Sequence, residues 1–373
     1  RGDRRQRQMC IRDSIDAALD HLFKQESDAY DGLMECVEAA SESCQIEHEG
    51  VLYDALLVAM PILAWTRFSI ASGAIPAETT ATLSAHFQAH MLAPDTKMVM
   101  ASALFSIDQL PRTHAEIFAF THRMAQSALK GVTLKPPGQA PETAPFLADT
   151  RYLLAVVTTV AGEPLFRWQV SANLNERDNA LTQWNAQALP HITRLLPGCG
   201  IELLLPEAYF VACREGDKQI RPASIRAAVH YLTHTLNVEA SELQAIIGSF
   251  GEESTDGRVD EYRISFTRIN DTDVVYGTVW PLYGEEDDAE LQYRGVEVPS
   301  DPVISADVER KSPIEEILAL LEECGIVNVK RHLECFPMEF CDDCGTPLYP
   351  DMSAELVHAE MPEDAPVGST HLH

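Results

Sequence analysis

The chain has 373 residues, of which 46% are hydrophobic and 23% are charged, so it has the composition of a globular protein and enough core for two or more subdomains. It carries 57 Asp and Glu against 28 Lys and Arg, a formal net charge of -29. Because this acidic excess repels phosphates and anionic lipid heads, it argues against nucleic acid or a membrane surface as the main partner.

The first thirteen residues differ in composition from the rest of the chain. The run RRQRQMCIRD, residues 4–13, resembles a translated adaptor used to prepare sequencing libraries. We therefore predict that residues 1–13 are a non-native tail, with a genuine basic arm as the alternative. Without the tail the chain has 23 basic and 55 acidic residues, a net charge of -32. The natural N-terminus is then expected to be missing, so a targeting signal cannot be read from this sequence.

Residues 14–134 are predicted to be a helix-rich region, with a diverged α/β copy as the alternative. Apolar residues recur at three- and four-residue steps over residues 14–43, which predicts two amphipathic helices. The segment VLYDALLVAMPILAW, residues 51–65, is predicted to be a buried core segment interrupted at Pro61; its uncharged run is too short to cross a bilayer. The region is completed by a helix over 76–92, an apolar segment over 98–107 and a helix over 112–130.

A proline-rich linker, residues 135–150, precedes two predicted ββαβ units. The first unit spans residues 151–250 and includes a hairpin over 152–170, a helix over 178–196, a strand at 201–205 and two inserted helices over 221–250. The second unit spans residues 258–335 and includes a hairpin over 261–282. Its helix begins with Ser312, Pro313 and Glu315 in a capping box with proline at the first helical position.

The two units share a matching segment. ITRLLPGCGI at 192–201 and ILALLEECGI at 317–326 are identical at six of ten positions. Gly200 and Gly325 fall where a helix needs a left-handed residue at its C-terminus. We predict a duplicated ββαβ unit, and hence an α/β fold of the α+β type in which helices cover mixed or antiparallel sheets.

The last region, residues 336–373, contains a candidate metal site. Cys341 and Cys344 form a C-x-x-C-G motif that resembles one knuckle of a zinc ribbon, because a tight turn of this length points both sulfurs at one ion. There is no second C-x-x-C motif, so the other two ligands must come from elsewhere. Cys335 and His358 are our first choices because both lie within one hairpin's length of the motif; His332 and Cys213 are alternatives.

Two other roles for Cys341 and Cys344 stay open: a redox pair and ordinary reduced thiols. The redox role is disfavoured because Gly and Pro follow the motif, so no helix can begin there, and because the two intervening aspartates oppose a thiolate. Cys199 and Cys324 occupy equivalent positions at the C-terminal ends of predicted helices. We expect both to be buried and unreactive.

Histidine pairs at helical i, i+4 spacing occur in HFQAH, His86 and His90, and in HYLTH, His230 and His234. This spacing can place two imidazoles on one ion, but neither pair has the glutamate of the metalloprotease motif H-E-x-x-H. We expect histidines that are exposed or lie at the edge of the core, with an interdomain metal site as the alternative.

Catalytic signatures are missing from the sequence. There is no phosphate-binding loop, dinucleotide-binding glycine motif, nucleophile elbow or kinase motif set. Carboxylates are too numerous for an acid–base pair to be recognised by spacing. The pair Glu261 and Arg263 is as compatible with a surface ion pair as with a catalytic role.

Several segments resemble an uncharacterised family of bacterial proteins, a domain of unknown function found in beta-proteobacteria; they are YDALLVAMPILAWTRFSI, DTRYLLAV, LFRWQ, IRPASIRAAV, EYRISFTR and FCDDCGTPLYP. The resemblance covers about residues 15–360. It implies a bacterial and cytoplasmic protein, in agreement with the scattered cysteines, and supplies no activity, substrate or catalytic residue.

Together these observations predict an acidic, non-enzymatic protein that binds an unidentified protein or small molecule and uses Zn²⁺ to stabilise its C-terminal end. Nucleic acid and membranes are not expected as partners, and a homo-oligomer is left open. The alternative is a thiol redox or small-molecule-processing enzyme. It would use Cys341 and Cys344, or a cleft between the two ββαβ units.

Overall fold

The computed structural model describes residues 27–67, 69–132, 146–251, 259–283 and 312–362, together with Ala18 and Glu286. These residues form six helices and three sheets, which confirms the α+β class. The N-terminal tail, most of the first predicted helix and the proline-rich linker up to residue 145 lie outside the described residues. In the described ranges no helix is both long and apolar enough to cross a membrane.

The helices are numbered in chain order: α1 (Ser27–Glu42), α2 (Ala77–Met91), α3 (His114–Lys130), α4 (Glu176–Leu195), α5 (Tyr209–Leu236) and α6 (Pro313–Glu323). The strands are β1 (Ser43–His48), β2 (Val51–Trp65), β3 (Gly73–Ala74), β4 (Lys97–Met100), β5 (Ala103–Ser106), β6 (Ala148–Val160), β7 (Gly200–Leu203), β8 (Glu207–Ala208), β9 (Leu243–Phe250), β10 (Glu261–Arg268), β11 (Tyr276–Pro281), β12 (Asn328–Phe336), β13 (Tyr349–Pro350) and β14 (Leu356–Val357).

The first sheet has eight strands built around the long antiparallel pair of β2 and β6. Strands β1, β8 and β7 pair in succession with the edge of β2 that faces away from β6. Strands β4 and β5 pair with the edge of β6 that faces away from β2. Alternate residues of β2 enter two different cores: Val58 and Met60 on the face covered by α2 and α4, Leu57 and Ala59 on the opposite face. Burial on both faces explains the nearly continuous apolar run in its sequence.

The predicted interruption at Pro61 is wrong, because β2 passes through this residue without a break. A residue's N–H and C=O point to the same side of a strand. The Pro61 carbonyl accepts a hydrogen bond at 2.9 Å from the backbone N–H of Leu204, which lies in the turn between β7 and β8. The missing N–H of proline therefore faces the gap between these two short strands and costs no ladder hydrogen bond.

The predicted hairpin over residues 152–170 does not form. Strand β6 is already paired on both edges, with β2 on one side and with β4 and β5 on the other, so its sheet has no place for the second strand of a hairpin. Instead, Phe166 forms an isolated bridge with Leu92 at the end of α2. A short 3-10 helix follows at Arg167–Gln169, and the first predicted unit therefore contributes one strand before its helix.

The two helices predicted over residues 221–250 are also wrong. A single helix, α5, runs from Tyr209 to Leu236, and residues 243–250 form strand β9. The helix continues through Pro222, although proline cannot donate to the carbonyl of residue 218. The Nε atom of Arg221 donates to that Lys218 carbonyl at 3.1 Å, so the acceptor freed by the proline is satisfied by a side chain.

The second sheet has the order β11-β10-β9-β12, and the hairpin of β10 and β11 is confirmed. Strand β12 returns parallel to β9 after the crossover through α6. The capping box of α6 is present, with Ser312 and Glu315 each accepting from the other's backbone N–H. This unit therefore has the predicted ββαβ order, while the duplication itself stays a prediction.

The two matching glycines have different roles. Gly325 has a left-handed φ of 86° after α6, as predicted. After α4 the left-handed residue is Gly198, with φ of 80°, rather than Gly200. Gly200 instead lies against Trp65, because a Cβ atom at this position would come within 2.3 Å of the indole.

Candidate metal centre

The C-x-x-C motif forms a tight turn at the C-terminal end of the chain. The backbone N–H of Gly345 donates to the Cys341 carbonyl at 2.8 Å, and the Cys341 N–H donates to the Thr346 carbonyl at 2.8 Å. Gly345 has a φ of 73°, in the left-handed region that favours glycine. The glycine therefore closes the turn that carries the two cysteines, as the motif predicts.

His358 lies beside this turn, directly after the β13–β14 hairpin. Its Nε2 atom is 3.3 Å from the Cys344 sulfur, and one ligand atom each of Cys341, Cys344 and His358 lie within 4.8 Å of one another. The Thr346 hydroxyl is also close, 2.9 Å from the Cys344 sulfur and 3.1 Å from His358 Nε2. Thiolates and imidazole are preferred zinc ligands, so these three residues could hold a metal ion.

The electrostatics of the turn favour a thiolate at Cys344. Hydrogen bonds from Thr346, followed by that from His358, lower the pKa of the exposed Cys344 thiol to about 6. The hydrogen bonds to the sulfur outweigh the repulsion expected from the two intervening aspartates. Both aspartates are exposed and screened by water, whereas the donors of Thr346 and His358 touch the sulfur.

The imidazole of His358 has a carboxylate on its other side. Its Nδ1 atom lies 3.4 Å from an oxygen of Glu360. This carboxylate lies beside the nitrogen that would stay free of the metal, which is where the outer partner of a metal-binding histidine is commonly found.

The other sequence candidates lie outside this group. Cys335 is exposed on β12, and His332 is bound through Nε2 to the carbonyl of Asp351 at 2.8 Å. Cys213 is on α5, where burial raises its pKa. The structure thus brings together three of the four predicted metal ligands, Cys341, Cys344 and His358, and leaves Cys335 apart.

Two other cysteines and the two histidine pairs also lie outside this group. Cys199 and Cys324 are half-buried rather than buried, and desolvation raises the pKa of each thiol, which agrees with the expected lack of reactivity. The rings of His86 and His90 are 6.2 Å apart, and those of His230 and His234 are 4.1 Å apart.

The sequence did not reveal the importance of Arg263, for which a surface ion pair and a catalytic role were equally compatible. Arg263 is fully buried in β10, and its Nε donates to Glu261 at 2.6 Å. Its Nη1 donates to the carbonyls of Glu339 and Leu348 at 2.6 Å each. This face of the strand is covered by the C-terminal segment, because Arg263 and Ser265 both donate to its backbone carbonyls.

Two further contacts hold that C-terminal segment against the second sheet. The Ser265 hydroxyl donates to the Pro350 carbonyl at 2.5 Å. The ring of Tyr349 lies directly on Gly277, where a Cβ atom would come within 2.3 Å of it. The candidate metal centre is therefore part of a segment that is packed onto the sheet by both side-chain and backbone contacts.

A family model described as "Protein of unknown function (DUF2863)" matches residues 5–372. The chain belongs to this family. The resemblance to a domain of unknown function is thus confirmed over nearly the whole chain. The match begins inside the predicted tail, and both the adaptor origin of that tail and the bacterial origin stay predictions. Searches of curated proteins and of solved structures found no match.

Family membership supplies no substrate, activity or ligand. The chemistry available at this site is that of the two thiols, the imidazole and the segment that carries them.

Proposed function

We propose that Cys341, Cys344 and His358 bind a Zn²⁺ ion with a structural role, in a protein that acts through binding rather than catalysis. The observation that supports this proposal is the convergence of two sulfurs and one imidazole nitrogen within 4.8 Å. The lowered pKa of Cys344 adds to it, because a cysteine must lose its proton to bind zinc.

The place of the three ligands in the chain favours a structural ion, whose fourth ligand would come from outside this group, because structural zinc sites have four. All three lie within the segment that covers the second sheet, and an ion would join the Cys341–Cys344 turn to the end of the β13–β14 hairpin. Because the unfolded chain does not hold these ligands together, the free energy of zinc binding would add to the stability of the covering segment.

The test is elemental analysis of protein produced without a histidine tag. We expect about one equivalent of zinc. Cys341→Ser should remove the zinc and lower the melting temperature. Cys335→Ser changes an exposed cysteine outside the group, so it should keep the zinc content and the melting temperature of the parent protein. Zinc-free protein under zinc-replete conditions, or full zinc content in Cys341→Ser, would contradict the proposal.

A thiol redox pair is the second candidate, and the lowered pKa of the exposed Cys344 thiol favours it. In this reaction an external disulfide would oxidise Cys341 and Cys344 to a disulfide, and two thiols would be released from the oxidant. Equilibration of metal-free protein with glutathione buffers, followed by thiol counting, tests the reaction. A reversible change of two thiols that Cys344→Ser abolishes would support it, and unchanged thiols would refute it.

A further inference from the structure

Three histidines from two neighbouring helices lie side by side, away from the candidate metal centre. The ring centre of His86 in α2 is 6.2 Å from that of His90, one helical turn later, and 5.8 Å from that of His191 in α4. All three side chains are partly exposed. The i, i+4 spacing in the sequence shows the first two histidines, and only the packing of the two helices brings the third one to them.

The contact between α2 and α4 sets the position of these side chains. Phe87 directly follows His86 in α2. Its ring meets the ring of Trp184 in α4 edge to face at 5.2 Å, and both rings are fully buried. Trp184 and His191 are two turns apart on the same side of α4. The backbone that carries the three histidines is therefore held in place by the core of the first sheet.

The three imidazoles are able to turn. Among the described residues no hydrogen bond is made by their ring nitrogens, and each ring is partly exposed. Two imidazoles bound to one tetrahedral ion have ring centres about 5 Å apart, because the metal–nitrogen distance is roughly 2 Å. The observed separations are about 1 Å longer than this. Rotation of the side chains, without movement of the helices, would therefore direct the three rings at one ion.

Arg167 is a cation beside this cluster. Its Nη1 atom donates to the carbonyls of Ala89 and His90 at 2.8 and 3.5 Å. Its Nε atom lies 3.1 Å from a carboxylate oxygen of Glu176 and its side chain is 41% exposed, so the charge is balanced by the carboxylate and screened by water. Burial, followed by repulsion from His86 and Arg167, lowers the pKa of His90. A neutral imidazole is the form that binds a metal.

We propose that His86, His90 and His191 form a second metal-binding site, which takes a divalent transition-metal ion such as Zn²⁺ or Ni²⁺ and joins α2 to α4. Imidazole is a favoured ligand of these ions, and the cluster supplies three of them. The net charge of -29 on the chain attracts cations. The proposal is independent of the candidate metal centre, because it uses none of the residues of that centre.

The test is titration calorimetry of the full chain, produced without a histidine tag, with Ni²⁺. His86→Ala removes the ring that lies between the other two, so it should bind one equivalent of Ni²⁺ less than the parent protein. Metal held by the thiol centre is present in both proteins and cancels in this difference. Zn²⁺ should compete for the lost equivalent, whereas Mg²⁺, which prefers oxygen ligands, should not. Equal stoichiometry in the two proteins would overturn the proposal.

His191 decides whether the site joins the two helices. His191→Ala should weaken Ni²⁺ binding at least about 10-fold, because the loss of an outer partner of a metal ligand already costs roughly 10- to 100-fold. Ni²⁺ should raise the melting temperature of the parent protein, since the folded state alone holds the three rings together, and this rise should be smaller in His191→Ala. Unchanged affinity in His191→Ala would show that the ion binds to the α2 pair alone, which contradicts the proposal.

The other i, i+4 histidine pair of the chain is the matched control. The rings of His230 and His234 in α5 are 4.1 Å apart, and among the described residues no third histidine ring contacts them. His230→Ala should therefore keep the Ni²⁺ affinity and the Ni²⁺-dependent rise in melting temperature of the parent protein. Loss of Ni²⁺ binding in His230→Ala, with unchanged binding in His86→Ala, would place the metal at the α5 pair and overturn the proposal.

Discussion

The Nη1 atom of Arg263 lies 2.6 Å from the carbonyl oxygen of Leu348, and the same atom lies 2.6 Å from the carbonyl oxygen of Glu339. Glu339 precedes the Cys341–Cys344 turn, and Leu348 follows it. One buried side chain of the second sheet therefore holds both ends of the turn, and the geometry of the candidate metal centre depends on a residue that touches none of its ligands.

Replacement of Arg263 should be strongly destabilising. Arg263→Met removes the partner of Glu261 and of two carbonyls, and leaving a buried charge unpaired costs about 3–5 kcal/mol. Urea unfolding measures this loss. Arg112→Gln is the control, because it breaks an exposed pair with Asp108 and should cost less than about 1 kcal/mol. Similar losses in the two variants would contradict the role of Arg263.

A methyl group at Gly277 should displace Tyr349. The Cβ atom of Gly277→Ala would come within 2.3 Å of the ring, so the covering segment must shift, at a cost of about 1–3 kcal/mol. Gly32→Ala is the matched control: it lies in α1 with no atom within 4 Å of the added group, and it should stabilise the helix by about 0.5–1 kcal/mol. Thermal melting of both variants compares the two effects, and an equally stable Gly277→Ala would show that the segment is not tightly packed.

Alkylation of Cys344 should depend on pH with a midpoint near its lowered pKa of about 6. The thiolate is the nucleophile, so the rate of reaction with iodoacetamide in metal-free protein should rise through pH 6 and level off above pH 7. Thr346→Ala removes a donor to the sulfur and should move the midpoint to higher pH. Peptide mass spectrometry follows the reaction at this residue, and an unshifted midpoint in the variant would exclude Thr346 as the cause.

Asp217 should make the protein less stable as pH rises. Burial is the main cause that raises its pKa, although Tyr152 and Tyr283 donate to its oxygens at 3.2 and 3.1 Å. A folded state that holds the proton more tightly than the unfolded state loses stability as pH rises through the raised pKa.

Asp217→Asn cannot ionise and should therefore gain stability relative to the parent protein at pH 8, with a smaller gain at pH 4. Urea unfolding at the two pH values measures the difference. Tyr283→Phe removes a donor that lowers the pKa of Asp217, so it should steepen the loss of stability with pH. A constant difference between Asp217→Asn and the parent protein would contradict the prediction.

Local signals in the sequence were sufficient for several elements. The capping box from Ser312 to Glu315 predicted the start of α6, and the hairpin pattern over residues 261–282 predicted the β10–β11 hairpin. The C-x-x-C-G spacing predicted the Cys341–Cys344 turn, because glycine reaches the left-handed φ of Gly345 without a steric penalty. Each of these signals depends on residues only a few positions apart.

Contacts between distant residues decided the rest. The segment after β6 could not form a hairpin because other strands already occupy both edges of β6, and Pro61 fits within β2 because its neighbours leave a gap there. The same applies to the candidate metal centre. The sequence determined the turn and the residue types, but the packing of residues 336–358 on the second sheet selected His358 and left Cys335 outside, since that packing depends on long-range pairing that no local pattern encodes.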